Sequence, residues 1–159
     1  MRAVQRVAML AAALSLAACG GPPPGPVAAR PQVDPGFVAV GEHELRYGVV
    51  PAADLAPAVA EAYGVERRSK ALVLSVSVLR SEDGRLPVPI AAAVRGTQRT
   101  LIGEPSPLDF REFGAGGAPS WVAVIEPAAA GLLLISIEAD PAGGGPRLAA
   151  TLKRELPLR

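Results

Sequence analysis

Between residues 70 and 80, apolar side chains fall on every second position. Leu72, Leu74, Val76 and Val78 share one face, and Ala71, Val73, Ser75, Ser77 and Leu79 share the other. A period of two is that of a β-strand, and this is the strongest one in the chain. Residues 81–85 carry an Asp-Gly turn signal, which predicts a hairpin whose second strand, 86–96, pairs antiparallel with the first. Pro87 and Pro89 place the start of that second strand at an edge or a bulge. Upstream, residues 37–50 alternate more loosely, with Leu45 and Tyr47 opposed to Glu44 and Arg46, so a first strand is expected over 42–49 and ends at Pro51.

Between these two strands the period changes. Asp54-Leu55-Ala56-Pro57 opens a short helix, with Asp54 as its cap and Pro57 in its first turn, and Gly64 stops it after Tyr63. Leu55, Val59 and Ala62 or Tyr63 are expected to face the core. Downstream come a short segment at 98–102, a turn at 103–107 and an alternating stretch at 108–113 with Leu108 and Phe110 inward. A glycine-rich loop at 114–117 follows, then strands at 120–126 and 132–138, a second glycine-rich loop at 140–146, and a last strand at 147–156. Seven or eight short strands with one short helix after the first strand predict an all-β fold. Its expected architecture is an antiparallel, immunoglobulin-like β-sandwich without the buried disulfide. A closed barrel is the alternative.

The N-terminus follows a different pattern. Arg2 and Arg6 precede an apolar run from residue 7 to 18, which ends in Leu16-Ala17-Ala18-Cys19-Gly20. A run of twelve residues is too short to span a bilayer, which takes about 20, but it suits the core of an export signal. Cys19 is the only cysteine in the chain and falls at the cleavage position of a lipoprotein signal. Residues 1–18 are therefore expected to be a lipoprotein signal peptide and Cys19 the acylated first residue of the mature chain. Residues 19–36 carry Pro22, Pro23, Pro24, Pro26, Pro31 and Pro35 and form a Pro-rich tether, leaving 37–159 as the sandwich domain. Proline fixes φ and favours extended chain, so such a tether reaches on the order of 50 Å at about 3.1 Å per residue. Gly20, rather than an aspartate, follows the cysteine, and an outer membrane lipoprotein facing the periplasm is the expected location.

Charge excludes more than it assigns. The chain carries 16 basic and 15 acidic residues; without Arg2 and Arg6, the remainder has 14 basic and 15, a formal charge of −1. No basic excess draws nucleic acid, and none is expected as a partner. His43 is the single histidine, set between Glu42 and Glu44, so no histidine metal site can be assembled from it and it reads as a surface residue. No Gly-x-Ser-x-Gly elbow is present, and neither glycine-rich loop has the strand and helix context of a phosphate cradle. No catalytic residue, metal ligand or cofactor is therefore expected. The densest basic cluster is Glu66-Arg67-Arg68-Ser69-Lys70, a surface connection that could grip an anionic partner. Trp121, the sole tryptophan, reads as a core residue.

The order of several short motifs adds a resemblance. Ala62-Tyr63-Gly64-Val65 with Arg67, Ser77-Val78-Leu79, Val94 and Gly96 with Leu101 and Gly103, and Leu108 with Phe110-Arg111-Glu112 recur at compatible spacing. Over about residues 40–156 this resembles the exported bacterial family known as domain of unknown function 4426. The resemblance implies a periplasmic β-sandwich and brings no activity. Thr100 stands where members tend to have an asparagine, and members are mostly soluble exports, so the anchor and tether are additions here.

These readings combine into an expectation of a lipid-anchored, non-catalytic binding or assembly module. Its partners would be the membrane, through Cys19, and an envelope protein or glycan, with Arg67, Arg68, Arg111 and Glu112 as binding-surface candidates. A hydrolase-type enzyme with a loop-built site, and a purely structural envelope lipoprotein, are the alternatives.

Overall fold

In the computed structural model, residues 36–82, 85–114, 118–127 and 130–156 are described. Among the described residues, ten strands form two antiparallel sheets. The first sheet contains β1 (Gly36–Val40), β2 (His43–Pro51), β3 (Leu72–Arg80), β8 (Ser120–Ile125) and β7 (Arg111–Phe113) in that spatial order, with β4 (Val88–Pro89) on β3. The second runs β10 (Leu148–Leu156), β9 (Gly131–Pro141), β5 (Ala92–Thr100) and β6 (Ser106–Pro107). The two sheets remain separate, and no barrel closes.

The main core lies between them. Leu45, Val49, Leu72, Leu74, Val76, Val78, Trp121 and Ile125 from the first sheet meet Leu133, Ile135, Ile137, Ala139, Leu148 and Ala150 from the second. These are the alternate positions of each strand, which is how a face-to-face pair of sheets hides one side of each from water. The opposite face of β3 is also covered. Ala52, Ala71, Val73 and Val122 are buried there beneath Leu55, Tyr63 and Val65, with Tyr63 tilted against Phe113 at 5.1 Å between ring centroids.

Several expected boundaries move, each for a local reason. The stretch read as one strand over 42–49 is the second arm of a hairpin: Gly41, at φ 60, lets the chain turn through Gly41 and Glu42, and β1 pairs with β2 from Gly36↔Tyr47 to Val40↔His43. The helix accordingly follows the second strand. It is preceded by a 3-10 turn, Ala52–Asp54, and α1 spans Pro57–Tyr63 with Pro57 at its start. Its N-cap is Ala56, without a side-chain bond, so Asp54 does not cap it. Val59 and Ala62 are exposed, and Ala60 is the buried residue. At the other end Gly64, φ 61, donates to the Glu61 carbonyl at 3.0 Å and Val65 to the Ala60 carbonyl at 2.8 Å, a glycine-terminated cap.

The expected hairpin after β3 is the largest departure. Only Val88 and Pro89 pair with β3, and Ile90 then donates to the Val78 carbonyl. The two prolines leave too few donors to continue that ladder, and the chain crosses to the second sheet, where β5 pairs with β9 along its whole length. Residues 98–100 extend β5 and are not a separate strand. Leu108 and Phe110 pack against the core as expected, although the strand itself is confined to Arg111–Phe113.

The register defines two ends. The first, with His43, Arg80, Pro141 and Leu148, carries the β1–β2 turn and the β9–β10 loop. The second, with Pro51, Leu72, Ile125, Gly131, Thr100 and Leu156, carries the connection from α1 to β3.

Candidate functional site

The α1–β3 connection is held at the Ile125 end by backbone and side-chain bonds together. The Ala52 N–H donates to the Ala71 carbonyl at 2.8 Å, and an Arg67 Nη2 donates to the Ala53 carbonyl at 2.7 Å. Beside them opens a cleft of about 440 Å³ lined by Arg68, Ser69, Lys70, Ala71, Glu126 and Pro127. The Arg68 guanidinium spans it, with Nε 3.1 Å from Glu66 Oε2 and Nη2 2.9 Å from Glu126 Oε1. Lys70 is exposed and has no hydrogen bond or ion pair among the described residues. All three members of this bridge, Glu66, Arg68 and Glu126, are solvated, and such a pair is worth about 0–1 kcal/mol. A carboxylate or phosphate can therefore replace Glu126 on Arg68 at little cost, with Lys70 as a second donor.

Arg111 and Glu112 do not join this cleft. They are successive residues of β7 and so point to opposite faces; Arg111 pairs with Val122 on the outer face and Glu112 with Trp121 on the inner one. Neither side chain has a hydrogen bond or ion pair among the described residues. Arg111 lies level with Val122, four residues along β8 from Glu126, or roughly 13 Å at the rise of a strand. Of the four surface candidates, then, Arg68 lines the cleft, Arg67 is held beside it on the Ala53 carbonyl, and Arg111 and Glu112 are set apart. Cys19, the expected lipid attachment, lies outside the described residues.

His43 is half-buried on the core-facing side of β2, against Gly145 of the β9–β10 loop. A Cβ at Gly145 would lie 2.8 Å from the imidazole Cε1, so only glycine allows the loop this approach. The ring makes no hydrogen bond among the described residues. Trp121 is 5% exposed and belongs to the core. No group of three or more His, Cys, Asp or Glu that could hold a metal is present among the described residues.

The largest charge network is elsewhere. On the outer face of the second sheet, Arg95 reaches Glu138 at 3.0 Å and Asp140 at 2.9 Å, while Arg147 reaches Asp140 at 2.8 Å and Glu138 at 3.9 Å. Hydrogen bonding to Arg147, and then to Arg95, holds the Asp140 carboxyl below its ordinary value; the bond to Glu138 leads in raising Arg95. Sequence reasoning passed over this group because it depends on the β5–β9 register. The one local signal was Glu138 and Asp140 on the same face of a strand, with Arg147 just beyond the glycine-rich loop.

Two antiparallel sheets around one main core, with one short helix and a cleft at one end, define a mostly-β two-sheet domain. The chain belongs to the family described as a domain of unknown function, DUF4426, whose model matches residues 37–156. It is similar to the crystal structure of a DUF4426 family protein from Pseudomonas aeruginosa PAO1, at 27% identity and a TM-score of 0.62, covering 77% of this chain and 94% of that one. It also shares its fold with FetP of uropathogenic Escherichia coli strain F11. One FetP structure, expressed in the periplasm of E. coli, gives 16% identity, a TM-score of 0.54, and coverage of 80% and 99%. A copper-bound FetP variant gives 14%, 0.53, and 78% and 95%. No curated protein matches the chain. Among the described residues, no helix is long and apolar enough to cross a membrane.

Proposed function

We propose that this protein is a lipid-anchored, non-catalytic binding or assembly module of the cell envelope. In this reading an immunoglobulin-like sandwich is held at the outer membrane through Cys19 and faces the periplasm. The observation that carries it is Cys19 at the end of an apolar leader, followed by a proline-rich tether, in a chain whose domain offers a cleft rather than a set of reacting groups. The periplasmic expression of FetP, which shares the fold, supports the location. The cleft supports binding: Arg68 and Lys70 suit an acidic side chain of an envelope protein or an acidic glycan.

Cys19→Ala tests the anchor. The variant is expected in the soluble periplasmic fraction after washing, with its fold intact, while the wild type stays with membranes and its N-terminal peptide carries acyl mass. A wild-type peptide without acyl chains would sink the reading. For the cleft, in-cell cross-linking of the wild type should recover a partner that Arg68→Ala recovers about fivefold less well, in line with the loss of one charge-assisted bond.

A further inference from the structure

Turn apices that face water are normally built from glycine, proline and small polar residues. The turn leaving β5 is different. The Gly103 N–H donates to the Thr100 carbonyl at 3.4 Å, closing a four-residue turn with Leu101 and Ile102 at its two central positions. Glycine leaves room here for the Thr100 hydroxyl, since a Cβ at position 103 would lie 2.6 Å from Thr100 Oγ1. The tightness of the turn drives both apolar side chains outward: Ile102 is 100% exposed and Leu101 62%.

The surface behind the turn continues the same character. Leu132 and Leu134 are half-buried on the outer face of the second sheet, and Leu134 lies between Arg99 and Lys153 in the register. Both cations are exposed and without hydrogen bond or ion pair among the described residues. Glu104, next to the turn, and Glu155, opposite Leu132, balance them in number. The tip is therefore apolar and these four flanking charges cancel, so they do not select its partner.

The position of the turn does. It lies at the Ile125 end, and β1 begins at Gly36, beside Tyr47, and runs away from that end. At Gly36, level with Tyr47 midway along β2, the chain is already heading from the turn's side toward the His43 end, and Cys19 lies 17 residues before Gly36 in the sequence.

We propose that the Thr100–Gly103 turn is a membrane-contact tip, with Leu101 and Ile102 entering the interfacial region of the bilayer that holds the Cys19 acyl chains. This rests on the lipid-anchored reading above. The tether makes a weak contact sufficient: confinement near the bilayer raises the local concentration of the tip, so a contact too weak to hold a free domain can be occupied in the anchored one. Contact at this end leaves the His43 end, with the β1–β2 turn, toward the periplasm.

The test uses the lipidated full-length chain in vesicles of phosphatidylethanolamine and phosphatidylglycerol. Because Cys19 is acylated, Ile102→Cys supplies a free thiol for an environment-sensitive fluorophore. Leu86→Cys, at the opposite end and also strongly exposed, is the control. Lipid-borne quenchers are expected to quench the label at 102 at least about threefold more than at 86, and raising the salt should change this little. Equal quenching at both sites, or stronger quenching at 86, overturns the proposal. So does a label at 102 that is already shielded without vesicles in the Cys19→Ala chain, since that marks a protein contact instead. Leu101→Ser with Ile102→Ser should lower vesicle partition of the Cys19→Ala chain by about tenfold, with thermal melting as the check on folding. Unchanged partition counts against the tip. Mass spectrometry of the N-terminal peptide reads the anchor separately: an acylated chain with a water-exposed 102 removes this proposal alone.

Discussion

Gly96 shows how a single missing side chain sets the distance between elements. It lies in β5 opposite Ile137, and a Cβ there would come 2.5 Å from the Ser136 carbonyl oxygen and 3.2 Å from the Phe110 ring. The first neighbour is backbone and cannot swing aside, so β5 must shift from β9 to admit it. Gly96→Ala is expected to destabilise by about 1–3 kcal/mol, the usual cost of overpacking, and chemical denaturation should show a lower midpoint with an unchanged slope. Asp140 makes a different prediction. Its carboxyl is held below the ordinary 3.8, first by the bond to Arg147. A depressed folded value means that its contribution is fully present above about pH 4 and is lost as pH falls through the folded value. Asp140→Asn should therefore be less stable than the wild type near neutrality, and the gap should close as pH falls through that lowered folded value. Melting curves at a series of pH values check this; a gap that widens on acidification contradicts it. The carboxyl is solvated, so the effect is small.

At the scale of elements, legibility in the sequence followed the number of neighbours each strand must satisfy. β3 is covered on both faces, and its strict alternation shows in Leu72, Leu74, Val76 and Val78 because each of these must meet the opposite sheet. β1 is an edge strand with only Val38 packed toward the core, and its five residues offered too weak a pattern to separate it from β2; the signal that could have done so was Gly41. β4 was hidden by its prolines, and the crossover after it cannot be read locally, since Ile90 bonds Val78 while Ala91 accepts from Ala142 of another sheet. The site was legible to the same degree. Arg67 and Arg68 announced themselves as a charged run, whereas Glu126 reaches Arg68 only through the pairing of β3 with β8. A consequence for the second cluster follows from its size. Tyr63 reaches Phe113 across the face of β3, and Tyr63→Ala removes that ring contact and the cover over Val73 and Val122. Since Tyr63 is only half-buried, about 1–3 kcal/mol is expected from urea denaturation, below the cost of a fully buried aromatic.

For the whole molecule, the decisive feature is that the two sheets share one core and neither can keep its inner face dry alone. Leu45, Leu74 and Ile125 of the first sheet, and Ile135, Ile137 and Leu148 of the second, are all fully buried in the same cluster. Removing either sheet exposes half of that surface, which favours a single cooperative transition over stepwise loss. Trp121 reports on this directly, because it is the sole tryptophan, belongs to the first sheet and is buried in the shared core. Ile137→Ala cuts a side chain from the second sheet and should cost about 2–5 kcal/mol. If the sheets are coupled, Trp121 emission in the first sheet should lose its midpoint by the same amount as far-UV circular dichroism, which follows both. A Trp121 transition that stays at the wild-type temperature while the dichroism signal shifts would mean that the sheets unfold separately. Coincidence of the two would instead extend to the Thr100–Gly103 turn and the cleft: both stand on strands of this one cooperative unit, so a ligand that binds either should raise the same single midpoint.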